Sequence, residues 1–408
     1  MAKFFTAFLI AISTFALQAQ DFGIKFSGFA KTDVFLNTRK SSEIREGHFY
    51  YYPTNISKDA EGNDKNEFLN FNMLSIQSRL TGKISAPDFL GAKTSGVIEF
   101  EFFGTSDADI NGLRMRHAAL DLDWGSTKLK IGQYWNPLFI EDAFPKVVAF
   151  NTGAPYQPFS RNPQIRLALL PSKNFEINLA AMSQRDFSSL GPNGGSSEYL
   201  RNSPLPIVNL GVKVRSSSVF FAANGQYKVI RPRISSATGA GYENTETVSG
   251  LIANALVKVS PSDDFYFTVH GLYGQNATDM LMLGGYVSTV LDASKGTEKY
   301  YPLNIISSWL DMQYGKNLAV GLFAGYSKNL GASEENINII ANYARGADID
   351  QLLRISPRIT YQEGKVMLAA ELDYSQAAYG NQNITNGKVE NTTNVSNIRL
   401  LLAAYLFF

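Results

Sequence analysis

The chain has 408 residues and a net charge of +1, with 18% of residues charged against the ~25% usual in soluble domains. That balance excludes the basic stripe of a nucleic-acid binder, so no nucleic-acid partner is expected. Cysteine is absent, which excludes disulfides and thiolate chemistry.

The first residues read as a secretory signal peptide. Lys3 is a short positive head, Phe4 to Leu17 is an apolar run, and small Ala19 offers a cleavage point before Gln20. The run is too short for a helical membrane span. The expected division is a signal peptide over 1–19 and one folded domain over 20–408. No later apolar run reaches the ~18 residues that a helical span needs.

From there the chain writes about ten residues at a time with every second position apolar. The last stretch shows the pattern: Ile398, Leu400, Leu402, Ala404, Leu406 and Phe408 share one parity, and Asn397, Arg399 and Tyr405 share the other. Inside a bilayer no water satisfies a backbone, so only helices or closed sheets cross it. A strand with one apolar and one polar face suits a barrel wall between lipid and a wet lumen. The 12% aromatic content, with 20 Tyr and 28 Phe, suits aromatic girdles at the two membrane interfaces.

The first strand is expected over 22–36, with Ile24, Phe26, Gly28, Ala30 and Val34 outward and Lys25, Ser27, Lys31 and Asp33 inward. A long polar loop, 37–66, follows. The second strand, 68–85, turns Leu74, Ile76, Leu80 and Ile84 outward, and Gln77, Arg79, Thr81 and Lys83 inward. A turn at Ala86-Pro87-Asp88 leads to the third, where Ile98, Phe100 and Phe102 face away from Glu99 and Glu101. Later pairs are joined by Gly125-Ser126, Pro171-Ser172-Lys173, Ser216 to Ser218, Pro261-Ser262-Asp263, Gly315-Lys316-Asn317 and Gln362-Glu363-Gly364, all built from tight-turn residues. Long connectors fall near 104–112, 136–162, 185–205, 230–246, 276–303, 329–350 and 377–394.

The count is sixteen strands, eight long loops and seven short turns. Short periplasmic turns, long external loops and an even strand number describe a bacterial outer-membrane barrel. Sixteen strands leave room for an aqueous channel. The expected fold is therefore all-β, a transmembrane antiparallel up-and-down barrel of about 16 strands. The count becomes eighteen if the apolar stretch 276–291 adds a pair. Pro357 on the outward parity requires a bulge or a lost hydrogen bond.

The connector 136–162 is the leading functional candidate. It carries or abuts Trp135, Pro137, Phe139, Glu141, Asp142, Phe144, Phe150, Tyr156 and Arg161. Long loops are usually functional or disordered, and so many rings and prolines argue against disorder. It is expected to fold into the lumen as a constriction. Pore selectivity follows inward charges. The pore-lining candidates are Arg79, Lys83, Glu99, Glu101, Lys128, Lys130, Arg166, Lys213, Arg215, Arg354, Arg358, Glu371, Asp373 and Arg399. The full inward set, which also includes Lys25, Lys31, Lys258, Asp33, Asp121, Asp123, Glu176 and Asp311, holds thirteen cations against nine anions, which favours small anions modestly. Arg114 and Arg116 share parity with Leu120, Leu122 and Trp124. Either a bulge turns them inward, or they sit above the bilayer or in a subunit contact. The lipid midplane would cost roughly 2–4 kcal/mol for such a charge.

Catalysis finds no footing. His48, His117 and His270 are scattered, and neither H-E-x-x-H nor G-x-S-x-G occurs. No enzyme activity, metal or cofactor is expected.

The runs Arg114-Met115-Arg116-His117-Ala118, Gly132-Gln133-Tyr134-Trp135 and Pro163-Gln164-Ile165-Arg166, with the terminal Phe408, resemble the DcaP-like outer-membrane porins, in a form like those of the Bacteroidota. The resemblance implies a homotrimer of sixteen-stranded barrels, a constriction loop after the fifth strand, and passive uptake of small polar, often anionic, solutes. Arg114, Arg116 and Arg166 match the family's basic motif positions, and Phe408 resembles its assembly signal. Some members carry a periplasmic helical extension; here the first strand begins almost at once, so none is expected. The expected function is an outer-membrane porin embedded in lipid; the alternative is a surface-binding barrel, an adhesin or platform, with a plugged lumen.

Overall fold

The computed structural model describes residues 22–236 and 241–408; the expected signal peptide lies outside them. Sixteen antiparallel strands close into a barrel. In chain order they are β1 (Gly23–Asn37), β2 (Arg79–Phe89, preceded by the collinear piece Asn70–Leu74), β3 (Ala92–Glu101), β4 (Arg114–Asp123), β5 (Thr127–Trp135) and β6 (Arg161–Ser172). Then come β7 (Phe175–Met182), β8 (Ile207–Arg215), β9 (Val219–Ile230), β10 (Val248–Ser262) and β11 (Phe265–Gln275). The wall ends with β12 (Thr297–Gly315), β13 (Leu318–Ala332), β14 (Ile349–Glu363), β15 (Val366–Gln382) and β16 (Val389–Phe407).

Closure joins β1 to β16, with Phe29 opposite Phe407 and Asn37 opposite Arg399. At the seam Phe408 donates its N–H to Gly28 and accepts the Gly28 N–H. Only glycine fits there, because a Cβ on residue 28 would lie 2.0 Å from the Arg79 carbonyl oxygen and 2.8 Å from the Phe408 ring. With its edges joined, the sheet exposes no unpaired strand to lipid.

The alternation sorts the side chains as expected. On β16 Ile398, Leu400, Leu402 and Leu406 are exposed outward, while Asn397, Arg399 and Leu401 are buried inward. Trp124, Tyr314 and Tyr361 ring the outer face at the short-turn end; Phe71, Tyr227 and Tyr273 do so toward the loop end.

Three local expectations need correction. Leu74 and Ile76 do not face lipid. The chain breaks between Leu74 and Arg79, where Ala30 to Thr32 of β1 face four residues. The extra residue switches faces, and Ile76 is buried in the interior cluster, with Leu74 packed against it. Ala86-Pro87-Asp88 is not the turn either; β2 continues through a bulge to Phe89, and Leu90-Gly91 makes the turn. The wall holds sixteen strands, not eighteen: Gly284–Asp292 pairs with the upper part of β12 and with Ala341–Arg345, so it extends the sheet above the wall. The connector 37–66, expected as a polar external loop, sends a hairpin of Ser41–Ile44 and Phe49–Pro53 inward, where Phe49 to Tyr52 are buried. Pro357 costs the expected ladder bonds: pairing of β14 with β15 stops at Ile355 and resumes at Arg358.

Candidate functional site

The site is the barrel interior, and three connectors build it. The segment 136–160 crosses the lumen from β5 to the opposite wall. The β10 Asn254 amide donates to the Leu138 carbonyl (2.9 Å), and the β12 Ser307 hydroxyl to that of Tyr156 (3.0 Å). Trp309 of the same strand donates to Gln157 (2.7 Å). Further on, Glu371 of β15 accepts the N–H groups of Val148 (2.6 Å) and Ala149 (3.3 Å), and Lys31 of β1 donates to the Val148 carbonyl (3.0 Å). Tyr156 lies on the wall at Gly325, where a Cβ would stand 2.5 Å from its ring. The hairpin 41–53 packs beside this segment, and 276–283 folds over it, with Met280 to Leu283 buried and the Met280 carbonyl accepting from Phe159. A buried Lys228–Asp279 pair (2.5 Å) pins that fold.

The inward charges fasten these connectors. Arg354 donates to the carbonyls of Ala154 and Tyr51, each at 2.9 Å, stacks on the Tyr50 and Tyr156 rings, and has its Nε 3.2 Å from Asp373. Asp373 also accepts from Ser356 (3.0 Å) and from the Tyr50 hydroxyl. Arg399 lies 3.7 Å over the Phe35 ring and donates to the Gly47 carbonyl (2.9 Å). Arg358 binds Asp311 (2.6 Å). All of these are buried.

A bulge settles the placement of the arginine motif. Glu99 of β3 pairs with His117, but Phe100 pairs with Met115, so Arg116 is the extra residue and the face reverses. Arg116 then points inward and donates to Glu99 (2.7 Å) and Glu101 (3.0 Å). Arg79 pairs with the same two acids, and Thr81 donates to Glu99 (2.7 Å). Arg114 and Arg161 converge on Asp186, Arg161 at 2.7 Å. Burial pushes the Asp186 carboxyl up, but these two cations outweigh it and hold it below the usual range. Trp135 and Arg161 are strand ends of β5 and β6, not loop residues. The Trp135 ring stacks on Phe139 (3.9 Å) and faces Arg116 and Arg161.

Toward the short-turn end the inward charges are more accessible. Lys130 pairs with Asp121 (2.7 Å) and Lys128 with Asp123 (2.9 Å). Arg166 binds back to the Trp135 carbonyl and to Gln164 (2.9 Å). Asp142 is held by Lys213 (2.6 Å) and Arg215 (3.2 Å), the latter also reaching Glu176 (3.3 Å). Glu141 lies beside the Tyr134 hydroxyl. Pro137 begins the turn after β5, and Phe144 is exposed at the loop tip, stacked on Phe139. Lys83 is exposed near the β2–β3 turn.

Sequence reading missed Arg45 and His48 at the hairpin tip. Arg45 is fully buried over Phe103 (4.4 Å) with none of its nitrogens hydrogen-bonded, and burial with nearby Arg114 lowers it to about 10. Burial, then Lys31 and Arg45, keeps His48 neutral. The signal was present: Phe49-Tyr50-Tyr51-Tyr52-Pro53 is too aromatic for a solvated loop. Neither wall histidine meets a serine nucleophile. His270 contacts Asn254 (3.1 Å), and His117 stands 3.6 Å from a Glu99 already held by Arg116. No cluster of metal-ligating side chains occurs among the described residues.

An apolar belt outside, a charged interior and an inward-folded loop after the fifth strand define a porin-type barrel of the bacterial outer membrane. No family model matches the chain, and no curated protein matches it by sequence. Among solved structures it is similar to the outer membrane channel DcaP of Acinetobacter baumannii, at 15% identity and a TM-score of 0.71, over 95% of this chain and 97% of that one. It is also similar to OmpT, an outer membrane protein of Vibrio cholerae, at 10% identity and a TM-score of 0.55, over 94% and 97%. A trimer form of OmpT gives 12% identity and a TM-score of 0.54, over 95% and 99%. At such identities the likeness speaks for the fold alone.

Proposed function

We propose that the chain is a DcaP-like porin: an outer-membrane channel through which small hydrophilic solutes diffuse passively, with a modest preference for anions, working as a homotrimer in outer-membrane lipid. The observation that carries this reading is the accessible part of the lumen. There Lys83, Lys128, Lys130, Lys213 and Arg215 stand along the wall with Asp121, Asp123, Asp142 and Glu176, five cations to four acids, inside an apolar exterior. Fixed charge at a narrow passage concentrates counter-ions and sets which ions pass. The channel and trimer named for the similar barrels support the same reading. It includes no catalytic step and no cofactor.

Purified protein in a planar bilayer should conduct in steps, with a reversal potential displaced toward anions in a salt gradient. A displacement toward cations rejects the anion preference.

A second reading has its own observation. Rings and aliphatic side chains from all three connectors form one buried apolar mass inside the barrel, as a plugged surface-binding barrel would. That reading predicts no conductance, and loss of attachment when external loops are deleted.

A further inference from the structure

At the short-turn end, Lys146 of the segment 136–160 comes beside Lys258 of β10. Both ammonium groups lie over the Tyr266 ring, 5.0 and 4.8 Å from its centre. Neither is ion-paired among the described residues. Asp311, the acid that acts on Lys146, is already bound by Arg358 (2.6 Å) and the Tyr266 hydroxyl (2.7 Å). Burial lowers the proton affinity of Lys146, and Lys258 lowers it further, so the two amines share one field. They open on a cavity of about 620 Å³ that Ser218, Ser260, Ser262 and Gln313 also line. The Ser262 hydroxyl accepts the Asp264 N–H, whereas those of Ser218 and Ser260 have no partner among the described residues. Asp263 and Asp264 stand on the same rim, and Lys316 answers both (3.9 and 3.1 Å).

We propose that Lys146, Lys258 and the Ser218 and Ser260 hydroxyls form a subsite for a phosphate group, free or carried by a small organic solute. Two unpaired ammonium groups balance a dianion, and the hydroxyls supply further donors to its oxygens. Lysine binds phosphate as a point charge. A carboxylate is better met by the planar fork of arginine, and the one guanidinium here is committed to Asp311. The subsite deepens the anion-channel reading and rests on it only for traffic through the pore; binding at equilibrium stands apart.

The test is calorimetric titration of the full-length protein in detergent with inorganic phosphate and, separately, glycerol phosphate. Saturable binding of either is expected, weakened about tenfold or more in K146Q/K258Q and kept within a few-fold in K258R. Heat-modifiable gel mobility reports that each variant is folded. Unchanged binding in the double variant, no saturable binding in the parent, or equal displacement by acetate overturns the subsite. Conductance without phosphate binding overturns the subsite alone; binding without conductance overturns the channel reading and leaves the subsite standing.

Discussion

Replacing Arg354 with Ala attacks a side chain that ties two connectors to the wall. It removes the 2.9 Å hydrogen bonds to Ala154 and Tyr51 and leaves Asp373 buried without its cation. Hydrogen bonds from a charged group contribute ~1.5–3 kcal/mol each, and a buried ion stripped of its partner costs ~3–5 kcal/mol. These do not simply add. Even about 4 kcal/mol shifts the docking equilibrium of the connectors by roughly a thousandfold. The β14 ladder to β13 is untouched, so the barrel should still fold and migrate as a heat-modifiable band. Single-channel recording should show larger and noisier steps than the parent. R354M/D373N, which removes the stranded acid as well, should regain stability while its recordings remain noisy. A folded R354A with parental conductance and parental noise would refute the claim that this arginine holds the constriction.

Gly325→Val would place side-chain carbon where the Tyr156 ring lies, since a Cβ there would stand 2.5 Å from it. It should lower the unfolding temperature by several degrees, the effect of about 1–3 kcal/mol of overpacking; adding Tyr156→Ala should restore most of it, and a failure to do so separates loop docking from wall strain. The Asp142 clamp should be acid-sensitive only late. Burial raises its carboxyl, but Lys213 and Arg215 more than offset this, so its folded pKa lies below the ordinary 3.8. The clamp is therefore complete above the unfolded value and is lost as pH falls through the lower, folded one. The difference in channel noise between D142N and the parent should hold from neutral pH to about 4 and close below it; a difference that closes near pH 6 would contradict the assignment.

The wall was legible because its cause is local. Ile398 to Phe408 and Asn397 to Tyr405 alternate one by one, and a strand presents successive side chains to opposite faces. Turn residues such as Gly125-Ser126 and Gly315-Lys316-Asn317 mark chain reversals for equally local reasons. The interior was less legible. Parity grouped Arg114 and Arg116 with outward residues and left a bulge as one of three open options, because a single extra residue, invisible in the alternation, reverses every side chain beyond it. The same slip misplaced Leu74 and Ile76. Glu371 and Arg399 were readable as inward, but nothing near them in the chain says that they meet Val148 and Gly47, more than two hundred residues away.

Residue order by itself determined that the chain crosses a membrane as strands, how many strands there are, and which end bears the loops. Each of these depends on a period of two and on a few turn residues, so neighbours in the chain suffice. Tertiary structure alone decided what fills the lumen. Connectors that look polar or merely aromatic in isolation enter the barrel because its closed wall brings Asp373, Arg354, Arg399 and Glu371 together from three strands, and that ring of buried charge, with Lys31, Asn254 and Ser307, supplies partners for the backbone groups the connectors bury.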